Sequence, residues 1–165
     1  MCYDAGMSAP SPTAPPTIAH PSPPPARAPS PAPVYLFDGV CVLCSAAVAF
    51  TLRHERAPRL RFVAIQSAEG RTLARDHAID PDNPHSFLYI DQGVVAQQSD
   101  GVIALCRELR WPWRAGVALA IVPRAVRDWL YDRVALNRYA WFGKRETCLV
   151  PDAATRARFV LPDTP

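Results

Sequence analysis

The sequence predicts a mixed α/β domain whose elements follow the order β-α-β-α-β-β-α. Short apolar runs of strand length alternate with stretches in which apolar residues recur every three or four positions, as on one face of a helix. A Gln92-Gly93 pair separates two strand-like runs, which is typical of a tight hairpin because glycine readily adopts positive φ. The length of 165 residues suits one domain with a buried core.

The chain predicts a strand, a turn and a helix as its first ordered unit. Residues 34–38 form an apolar run that ends at Asp38-Gly39, so we expect a buried strand followed by a turn. A helix should begin directly afterwards and end before Pro58. Its apolar residues recur at helical spacing: Val42, Leu43, Ala46, Ala47, Phe50 and Leu52.

A second strand and helix, a hairpin and a third helix complete the predicted core. Residues 60–65 read as a strand, and Ser67 can cap the helix after it. The hairpin strands lie on either side of Gln92-Gly93, over residues 87–91 and 94–97. The third helix is capped by Ser99 or Asp100 and turns an apolar side inward: Val102, Ile103, Leu105, Cys106 and Leu109.

The rest of the chain predicts a helical extension after the core and two terminal segments that form no core. Helices are expected over 113–119 and 123–136, the second packing through an apolar stripe of Val126, Trp129, Leu130 and Val134. We therefore assign residues 34–112 to the core and 113–150 to a helical extension of the same domain. Residues 151–165 read as a polar tail, and residues 1–33, which hold most of the 19 prolines, as a disordered leader.

Composition favours a soluble protein of the cytoplasm. The leader lacks the apolar core of a secretory signal, and no apolar run reaches the length of a membrane span. The net charge of +3 is modest, but residues 107–145 are rich in arginine. We expect a solvated basic face there, compatible with weak contact with a membrane surface, and no nucleic-acid partner. The sequence does not define an oligomeric state.

Cys41 and Cys44 form a Cys-x-x-Cys pair at the predicted start of the first helix. A helix N-terminus presents unpaired N–H groups that stabilise a thiolate, so Cys41 should be the exposed nucleophile. Cys44 lies one turn deeper and can resolve a mixed disulfide by bonding to Cys41. The element order, with this dithiol between the first strand and helix, is the thioredoxin-like arrangement.

Asp38 is the third candidate site residue. It lies three residues before Cys41, where its carboxylate can cap the Val40 or Cys41 N–H or accept a proton near the sulfurs. We favour the cap, because aspartate is common before helices and a nearby carboxylate opposes thiolate formation.

Two other classes of function fit the same cysteines. A structural or trafficking metal site needs two more ligands, and Cys106 and Cys148 are isolated in the sequence. A non-catalytic interaction domain would not depend on the dithiol. Because the pair follows a strand and begins a helix, redox chemistry is the favoured interpretation, with no cofactor beyond a Cys41–Cys44 disulfide.

Residues 35–44, with the sequence Tyr-Leu-Phe-Asp-Gly-Val-Cys-Val-Leu-Cys, resemble the signature of the DCC family of predicted thiol-disulfide oxidoreductases. The resemblance covers about residues 34–148 and continues in further blocks: residues 97–101, residues 123–131, Asn137-Arg138-Tyr139, Phe142-Gly143 and Cys148. It implies a thioredoxin-like fold with a C-terminal helical extension and a protein-disulfide reductase activity. The implied site is Asp38, Cys41 and Cys44, acting on a disulfide-containing protein or a small-molecule thiol.

The second block of this resemblance has two interpretations, and one feature departs from thioredoxins. We favour a buried ion-pair network over a substrate site for five of its residues: Arg127, Asp128, Tyr131, Asn137 and Arg138. Thioredoxins place a cis-proline opposite the dithiol, whereas here Pro84 precedes Phe87 by three residues and Ser86 takes the facing position. Pro84 is therefore not assumed to be cis.

Overall fold

The fold was analysed in a computed structural model that describes residues 31–145 and 151–162. The predicted leader therefore lies almost entirely outside the described residues, as does Cys148. The strands are β1 Val34–Phe37, β2 Arg61–Ala64, β3 Leu88–Asp91, β4 Val94–Gln97 and β5 Phe159–Val160. The helices are α1 Val42–His54, α2 Ala68–Asp76, α3 Gln98–Glu108 and α4 Arg124–Phe142, with 3₁₀ helices at Trp113–Ile121 and Arg156–Arg158.

The predicted element order is confirmed, and the strands form one mixed sheet. Its strand order is β4-β3-β1-β2-β5. β1 pairs in parallel with β2 and antiparallel with β3, and β3 and β4 form the predicted hairpin. At the hairpin turn both Gln92 and Gly93 have positive φ, 51° and 79°, as a tight turn requires. The fold is thus α/β, consistent with a thioredoxin-like fold to which a C-terminal helix, α4, is added.

Side chains alternate along the central strands and build a core on each face of the sheet. Tyr35, Phe37 and Phe62 face the side covered by α1 and α3, where they pack with Val48 and Ala104. Leu36, Val63 and Ile65 face the opposite side and pack with Ala74 of α2. β1 is therefore buried on both faces, which fixes the position of the turn that follows it.

The polar-tail prediction for residues 151–165 is wrong at Phe159–Val160. These residues form β5, which pairs in parallel with β2, and the Phe159 ring stacks on Phe62 with centroids 4.9 Å apart. Arg158, just before the strand, pairs with Glu55 at 2.6 Å. A two-residue strand is too short to show alternation in the sequence, so aromatic packing and one ion pair define it instead.

The helical extension is present, but α4 packs on a different side from the one expected. The predicted stripe of Val126, Trp129, Leu130 and Val134 is exposed, and α4 buries Ala135 and Arg138. The 3₁₀ helix packs closely on α3: a Cβ at Gly116 would lie 2.6 Å from the Cys106 sulfur. Within the described ranges, no helix combines the length and the apolar content needed to cross a membrane.

The start of α3 also differs from the prediction. The helix begins at Gln98, so neither Ser99 nor Asp100 is the capping residue, and the N-cap Gln97 makes no side-chain cap bond. The Ser99 hydroxyl instead donates to the Asp128 carboxylate of α4. A side chain that sequence patterns assign to a local cap is used here to join two helices.

Candidate active site

The dithiol lies where β1 ends and α1 begins. Cys41 is the N-cap residue of α1, and its Sγ accepts a hydrogen bond from the Cys44 backbone N–H at 3.3 Å. Both cysteines are free thiols in this structure. The spacing of three residues brings the second cysteine onto the first helical turn beside the first, as the sequence predicts.

The two thiols have opposite acidities. A hydrogen bond from the Cys44 side chain is the largest cause that lowers the pKa of Cys41 to about 6, and the Cys44 N–H and the Arg138 charge act in the same direction. Burial and the Asp38 charge oppose this shift. The pKa of Cys44 is raised, chiefly because its thiol is the donor to Cys41 and because the surrounding protein desolvates it. Cys41 is therefore a thiolate at neutral pH while Cys44 keeps its proton.

The exposure of the two sulfurs is the reverse of the expectation. Cys41 is 0% exposed, whereas Cys44 is partly exposed. The first cysteine of the motif lies at the start of the helix as predicted, but the chain that follows α4 covers it.

That chain is the covering segment, residues 143–145, which runs beside Cys41. Lys144 forms an antiparallel bridge with Cys41, and the Arg145 N–H donates to the Val40 carbonyl at 2.7 Å. The Val42 N–H donates to the Gly143 carbonyl at 3.4 Å. Gly143 ends α4 with φ 86° and ψ 174°, a conformation that is essentially confined to glycine. Its backbone lets the chain leave α4 and pass over the N-terminus of α1.

Asp38 is held in a buried network beneath the dithiol. Its carboxylate accepts hydrogen bonds from the Val40 N–H at 3.2 Å and from Gln66 Nε2 at 2.8 Å. The Tyr139 hydroxyl and Arg138 of α4 bind the other carboxylate oxygen, the guanidinium at 3.4 Å. The bond to the Val40 N–H is one that the sequence predicts, but it closes the turn before α1, since Cys41 is the N-cap of the helix.

Gln66 and Tyr139 are members of this network that sequence reasoning missed, since both lie far from Asp38 along the chain. The Asn137-Arg138-Tyr139 block was the signal available for Tyr139, but the sequence alone does not show which carboxylate it meets.

The five residues of the second block separate in the structure. Arg127 bonds to Ser99 and Asp100, and Tyr131 lies within hydrogen-bond distance of Ser86, so both tie α4 to the core. Asp128 joins Ser99 in the same contact, whereas Asn137 bonds only to the Arg133 carbonyl of its own helix. Arg138 reaches Asp38 and donates to the Pro84 carbonyl at 2.5 Å. The expected network holds the extension and also extends into the dithiol site.

An apolar cavity of about 480 Å³ opens beside Cys44. Its walls come from the three helices α1, α3 and α4 and from the segment that precedes β3. Pro84 and Ser86, the two residues considered opposite the dithiol, both line it. Within the described ranges the only cis peptide bond precedes Pro112, so the bond before Pro84 is trans. This cavity is the accessible space in contact with the site.

The structure bears on metal ligation as an alternative use of the cysteines. In the two described stretches of chain, no three His, Cys, Asp or Glu side chains are grouped to hold a metal ion. Burial raises the pKa of Cys106, and its sulfur lies against the 3₁₀ helix, in accord with a packing role. Cys148 lies outside the described residues.

Comparison with known proteins places these residues in a family. A family model described as DCC1-like thiol-disulfide oxidoreductase matches residues 35–144. The chain is 39% identical over 127 residues to the uncharacterized protein YuxK of Bacillus subtilis, covering 77% of this chain and 93% of that protein. It is 36% identical over 117 residues to the chloroplastic DCC family protein At1g52590 of Arabidopsis thaliana, covering 70% and 68% respectively.

No solved structure matches this chain significantly. The matched range of residues 35–144 includes the positions of Asp38, both cysteines of the dithiol, the Arg138-Tyr139 pair and Gly143 of the covering segment. The chain therefore belongs to the DCC1-like thiol-disulfide oxidoreductase family.

Proposed function

We propose that this protein is a protein-disulfide reductase that works through Cys41 and Cys44. The observation that carries the proposal is the pairing of a low-pKa Cys41, held as the N-cap of α1, with a protonated Cys44 that donates to it. A stabilised thiolate beside a second thiol is what disulfide exchange requires. Membership in the family supports a redox role for the pair.

In the first step, the Cys41 thiolate attacks one sulfur of a target disulfide. The target S–S bond breaks, a mixed disulfide forms on Cys41, and the released target sulfur leaves as a thiolate. Because Cys41 is fully buried, this step requires the covering segment to move aside, with Gly143 as its flexible end. A thiolate without access is unreactive, so the covering segment controls the first step.

In the second step, Cys44 resolves the mixed disulfide. Once Cys41 is bonded to the target, it no longer carries the charge or accepts the hydrogen bond that keep the pKa of Cys44 high. The Cys44 thiol then gives its proton to the departing target sulfur and bonds to Cys41. The products are the Cys41–Cys44 disulfide and a target with one thiol and one thiolate, which takes its proton from solvent, so both electrons lost by the cysteines are gained by the target.

Asp38 acts in this proposal as a positioning residue. Its carboxylate holds the turn through Val40 and fixes Arg138, whose charge favours the thiolate. Replacing Asp38 with Asn keeps the hydrogen bond to the Val40 N–H and tests for proton transfer. If the pH dependence of disulfide reduction keeps its shape in this variant, Asp38 is not the proton acceptor.

Turnover with insulin and with a glutathione mixed disulfide, using dithiothreitol as the electron donor, tests the proposed activity. The wild type should reduce both, and variants with Ser at Cys41, at Cys44 or at both should not turn over. Retained turnover in the double Ser variant would overturn the proposal. Metal analysis of the purified protein runs in parallel, because a metal-binding module would contain stoichiometric metal and lose folding stability with chelator.

A further inference from the structure

The cavity beside Cys44 has walls formed almost entirely of carbon. Leu43 and Ala47 of α1, Val102 and Leu105 of α3, and Leu130 and Val134 of α4 converge on it. All six belong to the apolar positions whose helical spacing in the sequence predicts that they pack inward. The apolar sides of three helices therefore meet around an open space of about 480 Å³, within the size range of small-molecule sites.

Tyr35, a buried residue, lines this cavity and carries a hydroxyl group. Tyr35 is 2% exposed, and within the described residues its hydroxyl makes no hydrogen bond. Its ring is held edge-on against Phe87 with centroids 5.2 Å apart, so the position of the hydroxyl is fixed by packing. Cys44 and Tyr131 line the same cavity as Tyr35. Among the described residues the fully buried side-chain oxygen without a partner is Asp91 Oδ1, so the Tyr35 hydroxyl keeps some accessible surface, and a ligand oxygen in the cavity would accept its hydrogen bond.

The charged side chains at the cavity wall are already engaged. Arg127 donates to Ser99, Asp100 and the Val122 carbonyl. Arg138 donates to Asp38 and to the Pro84 and Ala135 carbonyls. Each guanidinium is thus paired with a carboxylate of the protein, Asp100 or Asp38, and a carboxylate on a substrate, such as a glutathione conjugate, would have to compete with it. The cavity therefore favours an uncharged ligand with an oxygen that accepts the Tyr35 hydroxyl.

We propose that this cavity binds an uncharged quinone and that the reduced dithiol transfers two electrons to it. A quinone combines a flat apolar ring with carbonyl oxygens, which matches the walls and the Tyr35 donor, and it accepts two electrons and two protons. This inference rests on the proposed function, because it requires Cys41 and Cys44 to be redox-active.

The transfer balances with the groups present. The S–S bond between Cys41 and Cys44 forms as the Cys44 S–H bond breaks, and both sulfurs are oxidised. The quinone gains two electrons and becomes a hydroquinone. One of its new O–H protons comes from Cys44 and the other from solvent, because Cys41 is already a thiolate.

The test is single-turnover oxidation of the pre-reduced full-length protein, freed of reductant, by duroquinone. Every ring carbon of this quinone is substituted, so a stable thioether to a cysteine does not form. Its reduction is followed by absorbance, and the rate is divided by the rate with hydroxyethyl disulfide, a small uncharged disulfide. Tyr35→Phe removes only the hydroxyl, and Val134→Trp fills the cavity. Val126→Trp is the matched control, since Val126 lies exposed on the same helix outside the cavity.

The ratio should fall about tenfold in Tyr35→Phe, the effect of one lost hydrogen bond, and at least as far in Val134→Trp. In Val126→Trp it should match the wild type. An unchanged ratio in both cavity variants would overturn the inference. So would a wild type that reduces the disulfide but reacts with duroquinone no faster than the double Ser variant, and the reductase function would then stand alone. If the protein reduces neither duroquinone nor the disulfide, the proposed function on which the inference rests is overturned instead.

Discussion

At the scale of single residues, the acidity of Cys41 depends on the thiol beside it. Its pKa of about 6 lies below the value of about 8.5 for a free cysteine. The thiolate should therefore form as pH rises through about 6 and be lost below it. Ultraviolet thiolate absorbance of the reduced protein measures this directly. Cys41→Ser should remove the transition, and Cys44→Ala should move it upward because the main hydrogen bond is lost. A wild-type midpoint near the free value would contradict the assignment.

Arg138 is the buried charge that joins α4 to the dithiol site. Its pair with Asp38 is almost fully enclosed, with side-chain exposures of 8% and 5%. Removing one partner leaves a buried charge uncompensated, so Arg138→Ala should lower the free energy of unfolding by about 3–5 kcal/mol in urea titrations. Arg133→Ala, at an exposed position on the same helix, should change it by less than about 0.5 kcal/mol. Unchanged stability with weakened substrate binding would support a substrate site at Arg138 instead.

At the scale of elements, the covering segment keeps reagents away from Cys41 even though the low pKa of this thiol makes it a thiolate. Gly143→Ala strains a backbone conformation at a cost of about 1–3 kcal/mol and should loosen the segment. Alkylation of Cys41 by iodoacetamide, resolved by peptide mass spectrometry at neutral pH, should then become several-fold faster.

Gly93→Ala is the matched control for this change. Gly93 also has positive φ and open space around it, but it lies in the β3-β4 hairpin. It should cost stability without changing the alkylation of Cys41. Equal acceleration in both variants would mean that general loosening, and not the covering segment, limits access.

The elements predicted best from the sequence are those defined by short-range signals. The β1-turn-α1 unit, the Ser67 cap and the Gln92-Gly93 hairpin each depend on a few adjacent residues, and all three are confirmed. The buried face of α1 was not predictable from apolar spacing. It carries Ser45, Val48 and Thr51, and the apolar Leu43 and Ala47 line the cavity instead.

The candidate site was predictable only in its local part. Asp38, Cys41 and Cys44 lie within seven residues of one another, so the motif identifies them. Arg138 and Tyr139 join Asp38 across separations of 100 and 101 residues, and the covering segment meets Cys41 after a similar length of chain. Such contacts depend on how α4 crosses the core, which helical periodicity does not determine.

At the scale of the whole molecule, exposed tryptophans and basic side chains occur in the same stretch of the chain. All four tryptophans are exposed and lie between residues 111 and 141. They fall within residues 107–145, which carry nine Arg or Lys against three Asp or Glu. Tryptophan and arginine together suit the boundary of an anionic membrane. We expect cosedimentation with phosphatidylglycerol vesicles at low ionic strength and release at about 0.5 M salt, where charges are screened. Equal binding to neutral phosphatidylcholine vesicles would contradict an electrostatic contact.

The central claim is that Cys41 attacks a target disulfide and Cys44 resolves the product. Incubation of the reduced Cys44→Ser variant with insulin, followed by mass spectrometry without reductant, tests it most directly. The account predicts a mixed disulfide that accumulates on Cys41 and is absent from the Cys41→Ser variant. A mixed disulfide on Cys44 of the Cys41→Ser variant, with none on Cys41 of the Cys44→Ser variant, would contradict it.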